Sequence, residues 1–450
     1  MISIVNPKDS ITRLWGKQSA SKASNYRLMK YVLRTDYNGK VLMHNVITGQ
    51  LVVLDASEVD VLCTLPAAYS ASMDQLISDY FLVPEDYDEH KQVIGLRTVL
   101  QRLSDLQWDR NYTRYTILPT TGCNARCYYC FEQGVRVSTM SEETVNHVVE
   151  FISSHCGENK TVSIMWFGGE PTIATKQIDH ICEGLQEKGV RYISGITTNG
   201  FLLDENLIPK AKSLWNLQIV KISVDGIEQT YNQIKSYKNA NGNPYKKVMS
   251  NIGLLLENGI TVSLRMNFDI SNYSEFYSLA NETAENFGHN KLFHLHAHPV
   301  NGEYKYQNGE VLHGNESWFT EKLAKLNAYA RDKGLSGKIR ALPSLRYNGC
   351  VASDNSALII NPNGELARCP EQFEGNQIIG DLRSGIVQKE LSDSWKKMAD
   401  YDKCRDCIFY PYCDRLVMCE AKDRCSSKDD FIAKYKESMI QSYDAYKASL

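Results

Sequence analysis

Between residues 114 and 299 the chain repeats one pattern six times: a short apolar run rich in β-branched and aromatic residues, then a longer amphipathic stretch of helical periodicity. The runs are 114–119, 162–167, 192–197, 219–224, 262–268 and 292–299, and the stretches between them include SEETVNHVVEFISSHC and NPYKKVMSNIGLLLENG. The first of these opens on Ser141, with Glu143 and Thr144 close behind, as a capped helix start does. Strands that alternate with helices pair in parallel, because a long crossover is needed to bring the chain back running the same way. Six such units, where a closed barrel has eight, predict an α/β fold built on an open, partial barrel.

In such folds chemistry collects beyond the C-terminal ends of the strands. There lie TGCNARCYYCFE after the first run, with Cys123, Cys127 and Cys130, then GGEP (168–171) after the second and TTNG (197–200) after the third. SVDG (223–226) and RMNF (265–268) end the fourth and fifth. Each motif alone is what a turn after a strand looks like. Five in order on one rim are a site.

The segment MISIVNPKDSITRLWGKQ has no apolar signal core and no run reaches the length of a membrane span, so a cytoplasmic location is expected. The formal net charge of −3 gives no push toward nucleic acid or an anionic membrane, and neither is expected as a partner. In the cytoplasm thiols stay reduced, so the 13 cysteines point to metal and not to disulfides. Cys63, Cys156 and Cys182 stand alone and read as small buried hydrophobes. The others form two groups, the triplet and then Cys350, Cys369, Cys404, Cys407, Cys413, Cys419 and Cys425, each suited to zinc or to iron–sulfur. A structural zinc site wants four protein ligands, and the triplet's loop offers no suitable fourth.

The Cys-x3-Cys-x2-Cys spacing after the first strand, with Tyr128 and Tyr129 ahead of the last cysteine, resembles the radical SAM superfamily, and the rim motifs extend the resemblance over the central domain. The resemblance implies a [4Fe–4S] cluster on Cys123, Cys127 and Cys130 with one iron left for S-adenosylmethionine. It implies a 5′-deoxyadenosyl radical that takes hydrogen from a substrate C–H bond. It places Gly168, Gly169 and Glu170 near the methionyl amine and Ser223 near the ribose or carboxylate. Thr198, Asn199 and Asp225 would line the same rim. Arg265 has the planar fork that suits the methionyl carboxylate, its ordinary alternative being a strand-end salt bridge.

The downstream cysteines run Cys350-x13-Gly364-x4-Cys369, then Cys404-x2-Cys407-x5-Cys413-x5-Cys419, then Cys425, which is similar to the SPASM extension with two auxiliary [4Fe–4S] clusters. Five residues between Cys413 and Cys419, where the family has three, depart from that pattern. The resemblance implies Cys404, Cys407, Cys413 and Cys425 around one auxiliary cluster, and Cys350, Cys369 and Cys419 around the other. The stretch ALPSLRYNG before Cys350 supplies no eighth cysteine. A zinc ribbon is the alternative for the CRDC group.

Residues 25–105 read as two or three short strands (29–37, 40–46, 50–54) and three helices (56–65, 73–81, 89–106). This order resembles the winged-helix-like element with which peptide maturases hold a leader peptide as an added strand. A plain structural domain is the alternative. In HLHAH, His294, His296 and His298 share one strand face. They read first as an interior polar row, with His296 and His298 as candidate proton acceptors. Asp354, just after Cys350, is a further candidate ligand, although turn formation is its commoner role. NPNGEL (361–366) reads as a hairpin turn.

The expected organisation is therefore 1–108 for leader recognition, 109–335 for the radical SAM partial barrel and 336–450 for a SPASM domain ending in a helix. The expected activity is a radical SAM cross-linking of a ribosomally made precursor peptide. A thioether is favoured, with carbon–carbon or ether links, a formylglycine-forming sulfatase maturase and a non-catalytic iron–sulfur electron carrier as alternatives. Three [4Fe–4S] clusters, S-adenosylmethionine, the precursor's leader and an external donor of the flavodoxin or ferredoxin type complete the expectation.

Overall fold

The six runs become six parallel strands: β1 (Arg114–Thr120), β2 (Thr161–Gly168), β3 (Arg191–Thr198), β4 (Leu217–Val224), β5 (Thr261–Phe268) and β6 (Phe293–Pro299). They lie side by side in sequence order. Right-handed crossovers taken in sequence order put all the helices on one face of the sheet. The packing agrees: Ile164, Trp166, Ile196, Val220, Ile222, Leu264, Met266 and Leu295 share one core with Val148, Ile181, Val248 and Leu279 of the helices. Residues in between point the other way, and there the registers align Thr197, Lys221, Ser263 and His294 in one row, and Ser223, Arg265 and His296 in the next.

The computed structural model describes residues 1–21, 24–108, 111–238, 241–300, 304–305, 311–312, 316–335, 342–419 and 428–450. They divide into two units: Met1–Gln107, Lys338–Ser353 and Lys397–Leu450 form the first, Trp108–Gly337 and Asp354–Lys396 the second. In the second unit the sheet stays open. Among the described residues β6 pairs only with β5, while β1 takes Ala357–Ile360 as a parallel neighbour on its outer edge. Three short antiparallel strands, Glu365–Ala367, Gly380–Asp381 and Gly385–Ile386, continue from there. The expected turn joins Ala357–Ile360 to Glu365–Ala367. Asn361 Oδ1 accepts from the backbone N–H groups of Asn363 and Glu365, both at 3.0 Å, and Gly364 takes φ 79°. Ser141 caps the helix Glu142–His155 by accepting from Thr144 N–H at 3.1 Å.

The first unit holds a four-stranded antiparallel sheet in the order Ile2–Val5, Leu51–Val53, Lys40–Asn45, Val32–Tyr37. Its helices are Asp9–Trp15, Ala56–Thr64, Asp74–Ser78, Glu89–Gln107 and Lys428–Ala448. Asp55 and Glu58 close a capping box at the start of Ala56–Thr64. The expected strands and helices of this region are present. Strand Ile2–Val5 and a small sheet of Ala67–Ala68, Asn25–Leu28 and Leu82–Pro84 were not expected. Cys156 and Cys182 are buried as expected, but Cys63 is exposed, because the helix that carries it buries only Glu58 and Val61. No helix among the described residues is long and apolar enough to cross a membrane.

Candidate functional site

The cysteine loop leaves β1 and folds over the ends of its neighbours. Two glycines let it come that close. A Cβ on Gly169 would stand 2.3 Å from the Gly122 carbonyl oxygen, and one on Gly168 would stand 2.3 Å from that of Thr120. Gly168 also sits at φ 109°, a conformation that side chains disfavour. Glu170 N–H then donates to Gly122 O at 2.8 Å, which stitches the GGE segment to the loop.

Glu170 is fully buried. Its Oε1 accepts from Thr172 N–H at 3.1 Å and from the hydroxyls of Thr172 and Thr198 at 2.5 and 2.7 Å, and its Oε2 accepts from Asn199 N–H at 2.7 Å. Burial pushes the carboxyl's pKa up against these bonds. Both oxygens therefore brace the end of β2 against the end of β3. Asn199 Nδ2 reaches on to Asn124 Oδ1 in the cysteine loop at 2.7 Å. Thr198 and Asn199 thus hold the rim together.

On the far side the loop is pinned by its tyrosines. Tyr128 O–H donates to Asp269 Oδ2 and Tyr129 O–H to Asp225 Oδ1, while Asn267 Nδ2 donates to Tyr129 Oη at 2.8 Å. Asp225 is fully buried and pairs with Lys235 at 3.1 Å. Lys235, also buried, donates to Ser223 Oγ at 2.8 Å. Burial alone would push this lysine down, but Asp225 and then Cys127 outweigh it, and its pKa lies well above the ordinary value. The sequence pattern missed Lys235. It lies on the same helix face as the buried Tyr231, four residues earlier in Glu228–Lys235, and a lysine on such a face needs a carboxylate partner.

The three thiols are partly exposed. Burial raises all three pKa values, that of Cys123 to about 12. Ala125 N–H already points at Cys123 Sγ from 3.4 Å. Among the described residues no three His, Cys, Asp or Glu side chains converge as ligands of a single ion. Three thiolates on three different irons of a cube need no such convergence, so a soft all-sulfur set on a loop braced from both sides fits the cluster. Just past Cys130, Glu132 has both carboxylate oxygens buried without a hydrogen-bond partner among the described residues, and burial, helped by Glu374, pushes its pKa up to about 8. It too escaped the sequence reading.

Ser223, Arg265 and His296 share a level on the helix-free face, and Asn267 pairs with His298 one level up. Burial, followed by Arg265, pushes His298 down to about 4, and burial lowers His294 as well. Asp354 is committed elsewhere: Oδ1 accepts from Ser356 N–H and Oγ at 2.9 and 2.7 Å, and Oδ2 pairs with Arg114 at 2.6 Å. It forms the turn into Ala357–Ile360.

In the first unit Cys404, Cys407 and Cys413 lie on consecutive tight turns, with Cys407 N–H donating to Cys404 O at 3.1 Å and Cys413 N–H to Phe409 O at 2.9 Å. Buried Arg97 donates to the carbonyls of Arg346, Tyr410, Pro411 and Cys413 and stacks on Tyr410. Its Nη1 is buried without a partner among the described residues. Cys350 and Cys419 also fall in the first unit and Cys369 in the second. Cys425 lies outside the described residues.

Residues 117–282 match the family model of the radical SAM superfamily. That stretch is similar to the radical SAM domain. It is 29% identical over 153 residues to the Fe-coproporphyrin III synthase of Methanosarcina barkeri (strain Fusaro / DSM 804), covering 34% of this chain and 36% of that protein. It is 25% identical over 301 residues to the GTP 3′,8-cyclase of Clostridium perfringens (strain 13 / Type A), covering 64% and 88%. The aligned part spans 36% and 50% of the first two curated relatives it matches. Among solved structures, native anSMEcpe with bound AdoMet and Cp18Cys peptide superposes with a TM-score of 0.54 at 17% identity, over 75% of this chain and 99% of that one. Streptococcus suis SuiB bound to precursor peptide SuiA superposes with a TM-score of 0.50 at 13% identity, over 89% and 97%. At these identities the structures share the α/β radical SAM fold with this chain.

Proposed function

We propose that this protein is a radical SAM enzyme, a SPASM-type peptide maturase that cross-links a ribosomally made precursor, a thioether being the favoured bond. The observation that carries the reading is the pairing of the braced cysteine loop with a separate unit whose sheet ends in the strand Val32–Tyr37. That strand pairs on one side only, with Lys40–Asn45, among the described residues. An open strand edge invites an extended peptide as one more strand, which is how a leader would be held. SuiB, which shares the fold over most of this chain, was solved with a precursor peptide bound, and anSMEcpe with a peptide.

When bound, the cluster on Cys123, Cys127 and Cys130 together with S-adenosylmethionine supplies the radical that removes hydrogen from a substrate C–H bond. The chain's own residues prepare for this. Tyr128, Tyr129 and Glu170 fix the loop, and Lys235 puts a positive charge near Cys127, where it favours the thiolate. Gly168 and Gly169 keep backbone carbonyls at the rim for the methionyl amine, and Ser223 and Arg265 lie level for its carboxylate. His298, held near 4 by burial and then Arg265, is neutral at pH 7 and only a weak proton acceptor. Cys404, Cys407 and Cys413 with Cys425 would hold an auxiliary cluster. A flavodoxin- or ferredoxin-like protein would deliver the electrons.

The experiment is an anaerobic incubation with dithionite, S-adenosylmethionine and the precursor encoded beside the gene. A product lighter by two hydrogens, formed on a cysteine of the core peptide, supports the maturase. The match to the GTP 3′,8-cyclase favours a second reading, in which a nucleotide is the substrate. Conversion of GTP with the precursor left unchanged would select it.

A further inference from the structure

Lys221 lies on the helix-free face of β4, level with Thr197 of β3 and Ser263 of β5, and His294 of β6 completes the row. Arg265 stands one level nearer the rim, beside Ser223 and His296. None of these positions is acidic. Among the described residues neither Lys221 nor Arg265 has an ion-pair or hydrogen-bond partner. Arg114 is the third cation whose field reaches Lys221, and its guanidinium is already taken by Asp354. Lys221 and Arg265, like charges on one face with no acidic partner among the described residues, raise the energy of the empty protein, and an incoming anion offsets that cost. The cofactor proposed above brings one carboxylate, assigned to Arg265. Lys221 is left over.

We propose that Lys221, flanked by the hydroxyls of Thr197 and Ser263, binds a side-chain carboxylate of the substrate, so that the modified peptide carries Asp or Glu next to the residue that loses hydrogen. The peptide part of this statement rests on the maturase reading. The charge pattern favours a carboxylate over a nucleoside triphosphate, because one unpaired lysine beside one arginine balances few negative charges. The deeper row is also out of line with the rim where Ser223 and Arg265 lie, so the carboxylate would enter beneath the cofactor and fix the depth at which the peptide is held.

The test uses the full-length, cluster-loaded enzyme saturated with S-adenosylmethionine, so that the cofactor's own carboxylate is already in place. A limiting amine-acetylating reagent is added at neutral pH, and acetylation of Lys221 is followed by mass spectrometry with exposed Lys246 as internal reference. Lys221 is open to solvent, so the reagent reaches it, and partial desolvation, followed by Arg265 and Arg114, lowers its pKa and makes it reactive under these conditions. Acetyl-Glu-Glu-Glu-amide near saturation should slow labelling of Lys221 roughly fivefold by mass action, and acetyl-Gln-Gln-Gln-amide should leave it unchanged. The protection should fade in high salt. Equal labelling with the two peptides overturns the proposal. So does protection by GTP without protection by the acidic peptide, which would make this a phosphate site. Complete protection by S-adenosylmethionine alone overturns it too, by assigning Lys221 to the cofactor. The maturase reading fails on a different result, a precursor that is neither bound nor altered, and the Lys221 outcome does not depend on it.

Discussion

Lys235 and Asp225 form a buried ion pair, 3.1 Å apart, at the foot of the cysteine loop. One residue ends a helix and the other follows the end of β4, so the pair ties the crossover to the rim. Ser223 and Tyr129 complete it. Removing one partner leaves a charge buried and uncompensated. Lys235→Met should therefore destabilise the protein by about 3–5 kcal/mol, and Lys235→Met with Asp225→Asn should recover a large part of that. Urea unfolding of the two variants checks it, and a double variant no more stable than the single one would contradict the pairing.

Gly169 should tolerate no side chain, since a Cβ there would lie 2.3 Å from Gly122 O and 2.6 Å from Thr121 O. Gly169→Ala must push the cysteine loop away from β2. The expected result is a folded protein that has lost the iron of the triplet's cluster. Gly253→Ala serves as contrast: in the helix Pro244–Glu257 a Cβ there meets only Phe287 at an ordinary 3.8 Å. It should raise stability by about 0.5–1 kcal/mol with iron content unchanged.

The thiol of Cys123 gives a pH dependence. In the cluster-free chain burial raises its pKa from 9.0 to about 12. Between those values the folded state keeps a proton that the unfolded state has lost. Stability from this group is thus full below about pH 9 and falls as pH rises toward 12. The same burial should make Cys123 slow to alkylate in the folded apoprotein at pH 8 and fast in urea. Cluster assembly should release protons. Alkylation equally fast in both states would contradict the assigned environment.

How far the sequence carried depends on where each element's partners lie. The six strands were legible because the helices cover one face of the sheet, which writes buried apolar residues alternating with more open ones into Val162–Trp166 and Val220–Val224 alike. The rim motifs were legible because strand ends in such a sheet are where turns and chemistry coincide. Asn25–Leu28 was not, since it takes its partners far along the chain, Tyr26 pairing with Pro84, and its residues NYRL carry no alternation. Lys235 and Glu132 were missed because a charged residue reads as solvated until the fold surrounds it. Cys63 was misplaced because its nine-residue helix exposes most of its surface.

Arg97 should be needed by the cysteine turns of the first unit. Its buried guanidinium satisfies four carbonyl oxygens, among them those of Tyr410, Pro411 and Cys413. Arg97→Met leaves these unpaired and should cost about 3 kcal/mol, with loss of the iron attributed to Cys404, Cys407 and Cys413. Arg97→Lys should rescue little, because one ammonium cannot reproduce the planar fork. Thermal melting together with iron analysis checks both statements, and a variant with wild-type iron content would contradict the role.

The measurement that bears most directly on the whole account is the reductive cleavage of S-adenosylmethionine by the reconstituted protein under anaerobic conditions. Wild type with dithionite should yield 5′-deoxyadenosine and methionine. The variant with Cys123, Cys127 and Cys130 replaced by Ala should yield none, while keeping the iron bound by its downstream cysteines. Cleavage that persists in the triple variant, or fully iron-loaded wild type that never cleaves the cofactor, would contradict the account.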